Sequence, residues 1–163
     1  MFDSSVPVFV QFLAALSGIL KKAEAHCAAR KIDPAVMLSM RLYPDMFPLT
    51  RQVQIATDAA KGAGARLSGG EVPSFPDTEK TFDELQERIV KTIAFLKSLD
   101  AKGFEGAAAR DIRFKAGAQE RSFKGDEYLR VWALPNFFFH VTTAYAILRH
   151  NGVEIGKPDY LAR

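Results

Sequence analysis

The sequence predicts an all-α four-helix bundle with crossover connections and a small β-hairpin inserted before the last helix. Four segments carry apolar residues at three- and four-residue steps, the period of a helix with one buried face. One short stretch alternates with period two around a glycine turn. The connections are longest between the first and second long helices and between the third and fourth, which favours crossovers over simple up-and-down topology. With 163 residues, 48% hydrophobic and 25% charged, the chain is sized for a single domain over residues 1–163.

The first long helix is expected over residues 5–29, where Phe9, Phe12, Leu13, Leu16, Leu20, Ala23 and Cys27 line one face. Asp33-Pro34 supplies an N-cap and a first-turn proline for a short helix to about Met40. Two prolines between residues 41 and 48 then mark a turn. In the second long helix, Leu49, Val53, Ala56, Ala60, Ala63 and Leu67 form a stripe of mostly small side chains that lets a neighbouring helix approach closely. Ser68-Gly69-Gly70 ends it. The third long helix opens on Thr81 and Glu84, the spacing of a capping box. Phe82, Leu85, Ile89, Ile93 and Leu96 follow as its inward stripe.

Between Ala109 and Tyr128 the pattern changes. Ile112 and Phe114 alternate with Arg113 and Lys115, Ala116-Gly117-Ala118 makes a turn, and Phe123 closes a second short run. Two strands alone are marginal, so this hairpin is expected to lie against the helices. A helix starting at Gly125-Asp126 is expected to break at Pro135, and Asn136 is expected to cap the last helix, which ends at His150 before Asn151-Gly152.

Several functional classes are excluded or disfavoured. The net charge of +3 is too small to imply a nucleic-acid partner. A lone cysteine, Cys27, precludes an internal disulfide and fits a reducing, cytoplasmic setting. The apolar N-terminal run lacks the basic lead of a secretory signal. No stretch is expected to be long and apolar enough to span a bilayer. Phosphate-loop, HExxH and paired CxxC patterns are absent. Arg110, Arg113, Lys115, Arg121 and Lys124 stand against Asp111 and Glu120 around the hairpin, a charge run that reads as a solvated surface or, alternatively, as an attractor of anions.

Of three histidines, His26 and His150 are explained by packing and by the macrodipole at a helix C-terminus. His140 lies on one face with Asn136, Ala144 and Ile147, amid Phe137, Phe138, Phe139 and Tyr145. It reads either as a buried histidine hydrogen-bonded across the bundle or as a ligand-binding or catalytic group. Asp45 and Gln52, seven residues apart, share a face if the second helix begins by Asp45, although Asp45 also fits an N-cap. Asp58 and Gln54 fall off the alanine stripe and are expected to face solvent or a second subunit.

The block ALPNFFFHVTTAYAILRHNG, from Ala133 to Gly152, resembles a bacterial family of unknown function within the DinB/YfiT-like four-helix bundles. So do the segment from Asp45 to Leu49, Gln52-Val53-Gln54, Ala59-Ala60-Lys61 and Ala65-Arg66-Leu67. The resemblance covers nearly the whole chain. It implies a compact bundle, often a dimer, with a divalent metal held by one histidine of the second helix and two of the fourth. Some members of that superfamily are thiol-dependent transferases or isomerases. Matched position by position, His140 corresponds to the second histidine of the last helix, Asn136 to the first and Gln52 to that of the second helix. If His140 is instead the first, Ala144 takes the place of the second. Two of the three histidines are therefore absent, and one imidazole with two amides is a poor set for zinc or nickel.

The expectation that follows is a small-molecule ligand bound at this degenerate metal-site position, lined by Gln52, Asn136, Phe137 and His140. One alternative is an enzyme, metal-dependent or using His140 as acid or base beside Asp45 or Tyr145, of thiol-transferase or hydrolase-like type. The other is a structural homodimer. Neither a nucleic acid nor a membrane is expected as a partner.

Overall fold

The computed structural model describes residues 1–162. Its elements in chain order are α1 (Val6–Arg30), α2 (Pro34–Ser39), α3 (Leu49–Ser68), α4 (Phe82–Lys97), β1 (Asp111–Ala116), β2 (Gln119–Lys124), α5 (Gly125–Glu127), α6 (Leu134–His150) and α7 (Lys157–Leu161). The expected four long helices are α1, α3, α4 and α6. Two short 3-10 turns, Ala101–Phe104 and Ala107–Ala109, lie ahead of the hairpin.

The long helices pack in the cyclic order α1, α4, α3, α6. Consecutive α1 and α3 therefore stand across a diagonal, as do α4 and α6, and both expected crossovers are present. The alanine stripe of α3 is sealed: Leu49, Val53, Ala56, Ala60, Ala63 and Leu67 are all fully buried. Its small side chains are used inside the bundle. At Gly64, a Cβ would sit 2.7 Å from a methyl of Leu96, so this helix approaches the end of α4 as closely as a side chain permits.

The local signals act as the sequence predicts. Asp33 accepts from the Ala35 amide at 2.9 Å, and Thr81 and Glu84 form the reciprocal capping box. Gly69 ends α3 in the left-handed conformation, φ 77°, which glycine adopts without strain. The guanidinium of Arg110 finishes that end by donating to the Leu67 carbonyl and, at 3.1 Å, to that of Gly103. Arg110 is thus a side-chain cap rather than part of a solvated basic run.

The hairpin pairs Asp111 with Lys124 through Ala116 with Gln119. One face presents Ile112, Phe114 and Phe123 to the helices, where Phe114 meets Tyr128 and Trp132 edge-on at 5.5 Å each. At Gly125 the backbone passes so close to the 3-10 turn Ala107–Ala109 that a Cβ would lie 1.9 Å from the Ala107 carbonyl oxygen. Gly125→Ala is expected to cost about 2 kcal/mol by forcing these backbones apart, read as a lower urea midpoint with an unchanged slope.

The last helix differs from expectation. Pro135 does not break it, and Asn136 does not cap it. Residues Gly125–His150 run on without interruption, through a widened, π-helical stretch at Tyr128–Ala133. Leu134 there donates to Leu129, five residues back. A proline ring collides with the carbonyl four residues before it, here Val131, and the wide turn just upstream relieves the collision. Asn136 instead turns its amide onto the Trp132 carbonyl at 2.7 Å.

A second correction concerns apolar length. Two helical runs, Val6–Arg30 and Gly125–His150, are long and apolar enough to cross a membrane by length and composition alone. Both bury one face in the core, through Phe9, Leu13 and Leu16 on the first and Phe137, Val141 and Ala144 on the second.

Candidate functional site

The packing of α3 against α6 brings Gln52 and His140 together. Nδ1 of His140 lies 2.7 Å from Oε1 of Gln52, while Nε2 of Gln52 donates to the Phe47 carbonyl at 3.0 Å. That second bond fixes which end of the amide faces the ring. An amide oxygen only accepts, so Nδ1 carries the proton and Nε2 of the neutral imidazole keeps its lone pair. Burial, with the positive charge of Arg51 added, pushes the pKa of His140 down from 6.5 to about 4. The ring is neutral at any pH near 7.

Nε2 of His140 has no hydrogen-bond partner among the described residues. It is not sealed off either, since Nε of Arg121 is the one buried side-chain nitrogen or oxygen without a partner among the described residues. Phe139, next to His140 in the chain, and Phe47, whose carbonyl holds Gln52, are each more than half exposed. Phe139 stands edge-on to the imidazole at 5.2 Å.

Of the other expected site residues, Asn136 stays near His140, and Phe137, Tyr145 and Asp45 have other surroundings. Phe137 is fully buried and packs edge-on against Phe9 of α1 at 4.9 Å, so it belongs to the core. Tyr145, five residues beyond His140, points to a different side of α6 and meets Tyr160 of α7 at 5.9 Å. Asp45 is exposed in the connection before α3 and caps nothing, because Pro48 holds the N-cap position. Asn136 is half-buried one turn before His140, with its amide nitrogen committed to Trp132.

Gln54 is 5% exposed and, against expectation, does not face solvent, whereas Asp58 keeps about a third of its side chain, 36%, open to it. The connection between α3 and α4 folds back over them and is held by Arg88, which is 3% exposed. Its Nε donates to Thr57 at 2.7 Å and its Nη1 to the Pro76 carbonyl at 3.0 Å and to Glu79 at 2.9 Å. Its Nη2 meets Asp58 and Asp77 at 2.9 Å each. Gln54 donates to the other oxygen of Glu79 at 2.9 Å. Lys61, also buried, reaches Asp58 at 2.8 Å and lies over the Phe75 ring. Arg51, the charge that acts on His140, pairs with Asp77 of the same cage.

The donor set does not fit the metal that the DinB/YfiT-like resemblance implies. Among the described residues no three His, Cys, Asp or Glu side chains converge. Of the three matched positions, Gln52 spends its oxygen on His140 and its nitrogen on Phe47. Asn136 spends its amide nitrogen on the helix backbone. The Nε2 of His140 and the side-chain oxygen of Asn136 remain, two donors where a catalytic or structural site needs at least three protein ligands.

The diagonal crossovers, the hairpin ahead of the last helix and the inward histidine on that helix together define a DinB-like helical bundle. The chain belongs to the family described as "Domain of unknown function (DUF1993)", which it matches over residues 1–161. It is similar to a DinB family member protein from Shewanella denitrificans whose crystal structure is known. The two are 43% identical over 98% of this chain and 90% of that one, with a TM-score of 0.92. Among curated proteins there is no match.

Proposed function

We propose that the bundle binds a small molecule which donates a hydrogen bond to Nε2 of His140 and lays an apolar or aromatic body against Phe139 and Phe47. The observation that carries this reading is the half-satisfied imidazole. Its Nδ1–H is locked by Gln52, and its Nε2 acceptor has no partner among the described residues. Buried polar groups usually find a partner in the protein or in ordered water, and here Nε2 is left to whatever reaches it from outside the protein. Few polar groups set among apolar rings is also the usual make-up of a small-molecule site.

The pKa favours binding over acid–base catalysis. A general base works best when its pKa lies near the working pH, and a ring at about 4 is a weak base and is almost wholly unprotonated near pH 7. It remains a good, fixed hydrogen-bond acceptor.

The test uses full-length protein labelled with 15N at histidine and titrated with phenol as the simplest aromatic donor. A shift of the His140 Nε2 resonance, with little change at His26 and His150, is expected. The His140→Phe variant should fold and lose the effect. If phenol and a panel of other donor-bearing fragments leave Nε2 unmoved, the proposal fails.

A further inference from the structure

Arg51 gives the position beside His140 a charge, and with it a chemical class of ligand. The residue stands in the first turn of α3, one place before Gln52. A cation there meets the positive end of the helix dipole and is disfavoured, so the helix itself does not explain its placement. Its guanidinium lies over the Phe47 ring, 6.0 Å from the centroid, and its charge reaches the His140 imidazole. Phe47 and His140 are joined in turn through Gln52, which bonds the carbonyl of the first and the ring of the second.

The guanidinium is only partly spent. Nη1 donates to Gln54 at 3.2 Å and to Asp77, while Nε and Nη2 have no partner among the described residues. Neither of these nitrogens is sealed inside the protein, and the side chain is 37% exposed. The Nε–Nη2 edge is therefore an open pair of donors, in the fixed planar geometry that fits a carboxylate through two parallel hydrogen bonds. Asp77 does not cancel the charge, because its other oxygen meets Nη2 of Arg88 at 2.9 Å. One carboxylate is shared between two guanidiniums. The charge left over suits a singly charged carboxylate better than a doubly charged phosphate.

We propose that the ligand held at Nε2 of His140 is a carboxylic acid, bound through its ionised carboxylate to the Nε–Nη2 edge of Arg51. This class rests on the small-molecule reading of the site and adds the charge that selects among ligands. A hydroxylated aromatic acid has all three parts: a hydroxyl that donates to the imidazole, a ring for Phe47 and Phe139, and a carboxylate for Arg51. An uncharged molecule with the same hydroxyl and ring lacks the last contact.

Full-length protein labelled with 15N at histidine is titrated with meta-hydroxybenzoate, para-hydroxybenzoate and para-hydroxyphenylacetate, each against its neutral amide, at pH 7 and constant ionic strength. The three acids set hydroxyl and carboxylate at different spacings. At least one is expected to bind about tenfold more tightly than its amide, read at the His140 Nε2 resonance. Arg51→Gln should bring acid and amide to the same affinity, with the His26 and His150 resonances in place as a check on folding. Lys97→Gln, at the exposed end of α4, should keep the preference. If the amides move Nε2 and no acid binds better than its amide, this inference is overturned while the small-molecule reading stands. If acids, amides and phenol all leave Nε2 unmoved, both fall. A preference that survives Arg51→Gln, or that Lys97→Gln removes equally, overturns the assignment to Arg51. Should Arg51→Gln fail to fold, salt decides on the parent protein. Acid affinity is expected to fall as sodium chloride is raised while amide affinity holds, and an acid affinity indifferent to salt overturns the proposal.

Discussion

Arg88→Ala is expected to lower the unfolding free energy by about 3–5 kcal/mol. A buried ion pair is by itself a weak source of stability, because desolvation cancels most of the attraction. Removing one partner is different. Arg88 serves Asp58, Asp77 and Glu79 together with the Thr57 hydroxyl and the Pro76 carbonyl. Its loss leaves Asp58 with Lys61 alone, Asp77 with Arg51 alone and Glu79 with Gln54 alone, and frees the connection that covers α3. The same cage sets an acid limit. Burial raises the Glu79 carboxyl, but hydrogen bonds from Arg88 and Gln54 outweigh it, and its pKa lies below the ordinary 4.5. A carboxyl depressed in the folded state contributes stability that is present above 4.5 and is lost as pH falls through the folded value. Urea unfolding at pH 7 checks the first expectation. A loss below about 1 kcal/mol, the range of an exposed pair, would mean that the cage does not hold the connection.

Between pH 7 and pH 4 the protein is expected to lose on the order of 3 kcal/mol through His140 alone. The folded-state pKa of this ring is about 4, against 6.5 for the free side chain. The unfolded chain therefore binds the proton first. Stability is full above 6.5 and declines as pH falls toward 4, below which both states are protonated and this contribution levels off. His140→Phe removes the proton-binding group and should flatten that part of the profile, whatever it does to stability at pH 7. Unfolding free energies of both proteins at pH 7, 6, 5 and 4 decide the matter. Parallel curves for parent and variant would show that the ring is not held neutral.

Much of the fold is legible in the sequence because local patterns encode it. The alternation of Ile112 and Phe114, the Thr81–Glu84 spacing and the alanine stripe of α3 each specify structure within a few residues. Pro135 is misleading for the same reason. A proline normally stops a helix, and only the tertiary burial of Tyr128, Leu129 and Ala133 holds the chain helical through a widened turn. The Arg88 cage leaves a fainter trace. Arg88 and Thr92 occupy inward positions beside Leu85, Ile89 and Leu96, which marks a polar group enclosed by the core. Its carboxylate partners come from two other segments, which no local pattern joins. At the candidate site, the sequence supplies His140 and its face, and the family resemblance points to Gln52. It does not exclude Tyr145 or Asp45, because the first is removed only by α7 and the second only by the course of the connection before α3.

The diagonal wiring of the bundle bears on how the chain assembles. Of the three pairs of successive long helices, only α3 and α4 are direct neighbours, and the connection between them is the one that Arg88 fastens. Contacts such as Phe9 with Phe137 join residues more than a hundred positions apart and require both long loops to close first. The α3–α4 pair is thus the one helical hairpin that short-range search can find, and it offers α1 and α6 a common template. The charged cage is then expected to form early, as the clasp of a folding nucleus, with the aromatic contacts between the first and last long helices following.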